Sequence, residues 1–114
     1  MMLDRRRAER DRRLSRRVPA VFAVMNTAGA QVQLGQAEDI GLTGMALRWP
    51  KDAEFASPVT LTFQLPGTRE PIAACAQVVN DRSTGRYRRT GVRFTTLEPQ
   101  DAALIARYCA SRKI

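Results

Sequence analysis

The residues of this chain best placed to do chemistry are arginines at four-residue spacing ahead of an apolar run. In RDRRLSRRVPA, residues 10 to 20, Arg13 and Arg17 stand four apart, Arg12 directly precedes the pair, and Val18-Pro19 opens the apolar run. A guanidinium stays charged and presents its N–H donors as a planar fork. It therefore meets phosphates, and the paired acceptors of a purine edge, through charge-assisted hydrogen bonds. Further along, DIGLTG, Asp39 to Gly44, sets a carboxylate ahead of two glycines, Gly41 and Gly44. A carboxylate accepts from N–H groups that arginine cannot serve, and the glycines let the backbone turn sharply with no side chain in the way.

Composition narrows the chemistry further. The chain contains no histidine, which removes His-based triads, His-ligated metals and imidazole acid/base catalysis. Its two cysteines, Cys75 in AACAQVV and Cys109 in RYCAS, form no CxxC pair and sit among apolar or small neighbours. Both are expected to be buried, reduced thiols, which fits a cytoplasmic setting. No paired carboxylates at a glycine-rich mouth and no nucleophile–base pair can be found, so a non-enzymatic protein is expected. The N-terminus is charged where a signal peptide needs an apolar stretch, and no apolar run approaches the ~18 residues of a spanning helix.

Length and charge bound the architecture. At 114 residues the chain suits one domain with one small core. Residues 1 to 17 hold eight arginines against Asp4, Glu9 and Asp11, so +5 of the formal +8 lies in this arm. The arm has too few apolar residues to offset the entropy of ordering and is expected to be mobile on its own. Residues 18 to 97 should form the body of the domain and residues 98 to 114 its terminal helix.

The pattern after Val18 is that of short strands. VPAVFAVM and QVQLGQAED read as two strands with a turn at Thr27 to Gly29. In TGMALRW, Met45, Leu47 and Trp49 share one face and Arg48 takes the other. VTLTFQL, residues 59 to 65, alternates Val59, Leu61, Phe63 and Leu65 with polar residues, as a half-buried strand does. IAACAQVVN and YRRTGVRF continue the series around a turn at DRSTGR, with Val92 and Phe94 facing inward. In EPQDAALIARYCASRK the period becomes helical. Leu104, Ile105, Tyr108 and Cys109 form one stripe, Pro99 suits the first helical position, and Arg107, Arg112 and Lys113 favour the C-terminal end. The expected fold class is all-β with a C-terminal helix: a six-stranded antiparallel barrel and one α-helix.

The ordered combination of RxxxR before the first strand and DIGLTG between the second and third resembles the PilZ domain family of bacterial cyclic di-GMP receptors. That family is typified by RxxxR and [D/N]xSxxG on a six-stranded barrel with a terminal helix. The resemblance covers essentially the whole chain, including GVRF, Gly91 to Phe94, in the last strand. It implies cyclic di-GMP as ligand, no other cofactor, and a site built from Arg12, Arg13, Arg17, Asp39, Gly41 and Gly44. Arg13 and Arg17 would serve guanine O6 and N7 and the phosphates, while Asp39 would answer the guanine N1–H and N2 amine. An arginine at the position of Arg12 accompanies a pair of stacked ligands in relatives, which implies two cyclic di-GMP per chain.

Two departures from the family pattern stand out. The family's serine is Gly41 here, which removes a hydroxyl whose hydrogen bond to a charged partner contributes about 1.5 to 3 kcal/mol. Where several relatives carry a large side chain near the end of the fifth strand, this chain has Val78 and Val79. Two other readings remain beside the receptor. One is a degenerate adaptor that binds a protein partner without nucleotide, and the other is a small basic barrel on single-stranded RNA. The second is disfavoured because only seven residues are aromatic, most at inward-looking positions. For the receptor the implied partners are the nucleotide and an unidentified protein effector, with no membrane involved.

Overall fold

The computed structural model describes residues 16–54 and 56–112. Six strands follow one another: β1 (Arg17–Asn26), β2 (Gln33–Gly41), β3 (Gly44–Pro50), β4 (Val59–Gln64), β5 (Pro71–Ser83) and β6 (Tyr87–Thr96). One helix, α1 (Pro99–Ser111), ends the series. The strands close into an antiparallel barrel in the order β1-β2-β3-β6-β5-β4. Closure comes from pairing between β1 and β4, where Val24, Met25 and Asn26 oppose Phe63, Thr62 and Leu61. A closed barrel leaves no free sheet edge.

The alternation seen in the sequence decides what lies inside. Met45, Leu47 and Trp49 of β3 and Val59, Leu61 and Phe63 of β4 are all buried, as expected from their period. Trp49 is the largest of the fully buried side chains, and its Nε1 donates to Thr90 Oγ1 at 3.0 Å. That bond satisfies the indole N–H, which would otherwise be stranded in the core at a cost of about 1 to 3 kcal/mol. Helix α1 starts at Pro99, whose missing N–H does no harm there, and turns Ile105 and Tyr108 onto the core. Arg112 caps the helix and stacks its guanidinium 5.1 Å from the centroid of Tyr108. Among the described residues, no helix is long and apolar enough to cross a membrane.

Three expectations change. DIGLTG is not simply a turn: Asp39 to Gly41 finish β2, Leu42 and Thr43 make the bend, and Gly44 begins β3. Strand β5 runs on to Ser83, so the turn shrinks to Thr84, Gly85 and Arg86, with Gly85 at φ +88°. The third change concerns the thiols. Both cysteines are free, but only Cys109 is partly buried; Cys75 is exposed on the outer face of β5, because Ala74 and Ala76 take the inward positions. An apolar-looking neighbourhood in sequence is split between two faces by the pleat. The Cys109 thiol donates to the Ile40 carbonyl, and burial raises its pKa above the usual thiol value.

This difference predicts selective alkylation. With iodoacetamide near pH 8, Cys75 should react at least about tenfold faster than Cys109, since the thiolate is the nucleophile and access sets the rest. Peptide mapping against time reads both sites, and equal rates would contradict the placement.

Candidate functional site

Strands β2, β3, β6 and β5 lie side by side, and their outer face carries a row of four residues in register. Asp39 opposes Ala46, Ala46 opposes Gly91, and Gly91 opposes Asn80. Two irregularities create this row. Between Ala37 and Asp39 the register of β2 slips by one residue, Glu38, and between Val78 and Asn80 that of β5 slips by Val79. Without a bulge, strict alternation from inward Ala37 would aim Asp39 into the core. The extra residue turns both Glu38 and Asp39 outward and lets Ile40 return inward. On the other side, the bulge keeps Val78 opposite the core residue Val92 and brings Asn80 over Gly91, whose N–H donates to Asn80 Oδ1 at 2.8 Å.

A concave surface of about 440 Å³ results, lined by Arg17, Ala46, Asn80, Asp81, Arg82, Arg89, Thr90 and Gly91. Its middle is open because Ala46 and Gly91 have little or no side chain. Its flanks are polar and mostly cationic.

Arg17 reaches this surface from the first residue of β1. It opposes Gly41 in the sheet, and its Nη1 lies 3.5 Å from Asp39 Oδ1. Asp39 Oδ1 also accepts from the Ala46 N–H at 3.1 Å, which fixes the carboxylate across the β2–β3 pair. Both side chains are about one-third exposed (35% and 34%), so the ion pair by itself contributes at most about 1 kcal/mol. Backbone packing does more to place Arg17. A Cβ added at Gly41 would collide with the Arg16 carbonyl oxygen and stand 3.1 Å from Arg17 Cγ. One added at Gly44 would collide with the Val92 carbonyl oxygen and stand 3.2 Å from Arg17 Nη2.

The glycines of the motif therefore act differently from the sequence expectation. Neither has positive φ and both are buried, so what they supply is close approach of β1 to β2 and of β3 to β6. A serine at position 41 has no room unless β1 moves. The hydroxyl missing from this chain is thus coupled to where its Arg16–Arg17 backbone lies. Arg12 and Arg13 lie outside the described residues, as does the rest of the arm through Ser15. The structure brings Arg17, Asp39, Gly41 and Gly44 together. It adds Ala46, Asn80, Arg82, Arg89 and Gly91, which sequence reasoning did not single out as site residues. A glycine inside the strand GVRF and two adjacent carboxylates inside β2 were the available signals, since each breaks a plain strand pattern.

The chain belongs to the PilZ domain family: the family model for the PilZ domain matches residues 4–111. No curated protein sequence matches it. Solved structures of low identity share its fold. The inhibitor of motility MotI/DgrA of Bacillus subtilis superposes with a TM-score of 0.74 at 20% identity, over 84% of this chain and 48% of that one. This chain thus spans about half the length of that relative. The PilZ domain of YcgR from Escherichia coli, solved with c-di-GMP, gives 0.67 at 16% identity over 85% of this chain and 88% of that one. The PilZ domain of CeSA from a cellulose-synthesizing bacterium gives 0.58 at 21% identity, covering 85% and 97%. The closed six-stranded barrel with one C-terminal helix is accordingly a PilZ fold.

The glycine packing generates a stability prediction. Gly41→Ser should lower unfolding stability by about 1 to 3 kcal/mol, because the new side chain must displace the Arg16 backbone. Urea denaturation measures this, and an unchanged midpoint would show that position 41 has space to spare.

Proposed function

We propose that this protein is a receptor for cyclic di-GMP, binding the ligand on the outer face of β2, β3, β6 and β5. The observation that carries the reading is the convergence of Arg17, Asp39 and Gly44 at one rim of a cationic concavity. The Arg17 guanidinium lies against Gly44 and beside the Asp39 carboxylate. A guanidinium next to a carboxylate matches the two edges of guanine, which presents acceptors at O6 and N7 and donors at N1 and N2. Adenine offers no such donor at N1, so the same pair discriminates against it. Family membership, and a family relative solved with c-di-GMP, support the ligand class.

In this reading Arg12 and Arg13 join Arg17 when the arm folds over the ligand. Fixing five backbone residues costs about 5 to 10 kcal/mol, so several charge-assisted contacts must form together to offset it. Ordering of the arm then serves as the signal, and the rearranged surface engages or releases a protein effector. No step of this is catalytic. Val21 and Leu34 are 72% and 63% exposed, and Met25 opposes Leu34 on the outer side of β1 and β2. Such apolar exposure away from the concavity favours a protein partner for the output.

Calorimetry tests the reading. Cyclic di-GMP should bind saturably and cyclic di-AMP and GTP much more weakly. Arg13→Ala and Arg17→Ala should each cost about 1 to 3 kcal/mol of affinity while the fold persists. Two ligands per chain are expected, with Arg12→Leu shifting the ratio toward one. Cyclic di-GMP has only two phosphates, so its salt dependence should be shallow. An RNA strand meeting five arginines would show a log–log slope near roughly −3.5. Absence of cyclic di-GMP binding at tens of micromolar, with a steep slope for RNA, would overturn the receptor.

A further inference from the structure

One step along the strands from the Asp39–Ala46–Gly91–Asn80 row lies a second row, and it is made of arginines. Arg48 opposes Arg89 across β3 and β6, and Arg89 opposes Arg82 across β6 and β5. Like charges directly opposite on neighbouring strands destabilise a sheet. Three in line is an unfavourable way to build a barrel surface unless something anionic is to meet it.

The counter-charge among the described residues is insufficient and one-sided. Glu38, released outward by the β2 bulge, accepts from Arg89 Nε and Nη2, both at 3.0 Å, and stands 3.7 Å from Arg48 Nη2. Arg48 also lies over the Tyr87 ring, 4.3 Å from its centroid. One carboxylate thus serves two guanidinium groups. The nearby Asp81 is committed elsewhere: it accepts from Arg88 Nε at 2.8 Å, and that hydrogen bond holds its carboxyl below the usual range. Arg82 has no ion pair among the described residues. Arg82 and Arg89 both line the concavity, as does Arg17.

We infer that Arg82 and Arg89 form a second phosphate-binding element of the site, so that the concavity grips a two-phosphate ligand from both rims, with Glu38 as the positioning residue for Arg89. The bidentate Glu38 contact uses Nε and one terminal nitrogen of Arg89 and leaves Nη1 of the fork for an anion. Arg82 adds a guanidinium that lines the concavity and has no ion pair among the described residues. A ligand with two phosphates can engage Arg17 and the Arg82–Arg89 pair, which line one concavity, at the same time; a mononucleotide engages one rim only. This inference rests on the cyclic di-GMP reading.

Titration calorimetry with cyclic di-GMP separates the two. Arg82→Ala and Arg89→Ala are each expected to weaken binding about tenfold or more, the loss of one charge-assisted hydrogen bond. Arg69→Ala, which removes the same charge from the β4–β5 turn, should leave affinity within about twofold of wild type if contact and not net charge is responsible. Thermal melts should show no loss of stability for Arg82→Ala, since a like-charge neighbour is removed. If wild type binds, Arg17→Ala weakens it, and both Arg82→Ala and Arg89→Ala match wild type, the second element is refuted while the receptor stands. An effect of Arg69→Ala equal to theirs would refute it as well. If wild type does not bind cyclic di-GMP at all, the receptor reading fails and this inference fails with it.

Discussion

The close approach of the start of β1 to the corner between β2 and β3 governs the rest of this molecule. Gly41 lies under the Arg16 carbonyl, and Gly44 lies between the Val92 carbonyl and the Arg17 guanidinium, at distances where a Cβ cannot fit. Because the tightest of these contacts are with backbone carbonyls, they set the position of Arg17 more firmly than a partly exposed ion pair with Asp39 can. The same approach packs the β1–β2 and β3–β6 pairs tightly in the barrel wall. Stability and site geometry consequently share a cause, and a side chain added at either glycine disturbs both.

Two bulges then convert a plain barrel wall into the candidate binding face. Each adds one residue to a strand, Glu38 in β2 and Val79 in β5, and each turns a polar side chain outward toward Ala46 and Gly91. The barrel interior keeps its apolar set intact, since Ile40 returns to the core side after the β2 bulge and Val78 lies on the core side before the β5 bulge. The outer face gains an open floor with polar flanks. Helix α1 supports this corner from the side of the core, with Cys109 bonded to the carbonyl of Ile40, inside the DIGLTG motif itself.

Much of this was legible in the sequence. The period-two pattern of VTLTFQL and TGMALRW identifies β4 and β3 and their buried faces, and the switch to helical spacing after Leu97 identifies α1. Arg17, Asp39, Gly41 and Gly44 were recognisable from motif order. Other features were hidden for physical reasons. A bulge has no composition of its own, so the outward turn of Asp39 and Asn80 cannot be read from alternation. Cross-strand rows such as Arg48, Arg89 and Arg82 join residues of three different strands through register alone. The exposure of Cys75 is hidden because AACAQVV gives no phase for the pleat, and the role of Gly41 because a close approach between strands leaves no local signature.

Whether cyclic di-GMP binds the outer face of β2, β3, β6 and β5 is measured by a residue-resolved map of amide chemical shifts in the full chain. Titration is expected to perturb Arg17, Asp39 to Ala46, Asn80 to Arg82 and Arg89 to Gly91, and to leave the opposite end of the barrel around Asn26, Gln33 and Ser57 unchanged. Perturbations confined to that opposite end, or none at saturating ligand, would contradict binding on this outer face.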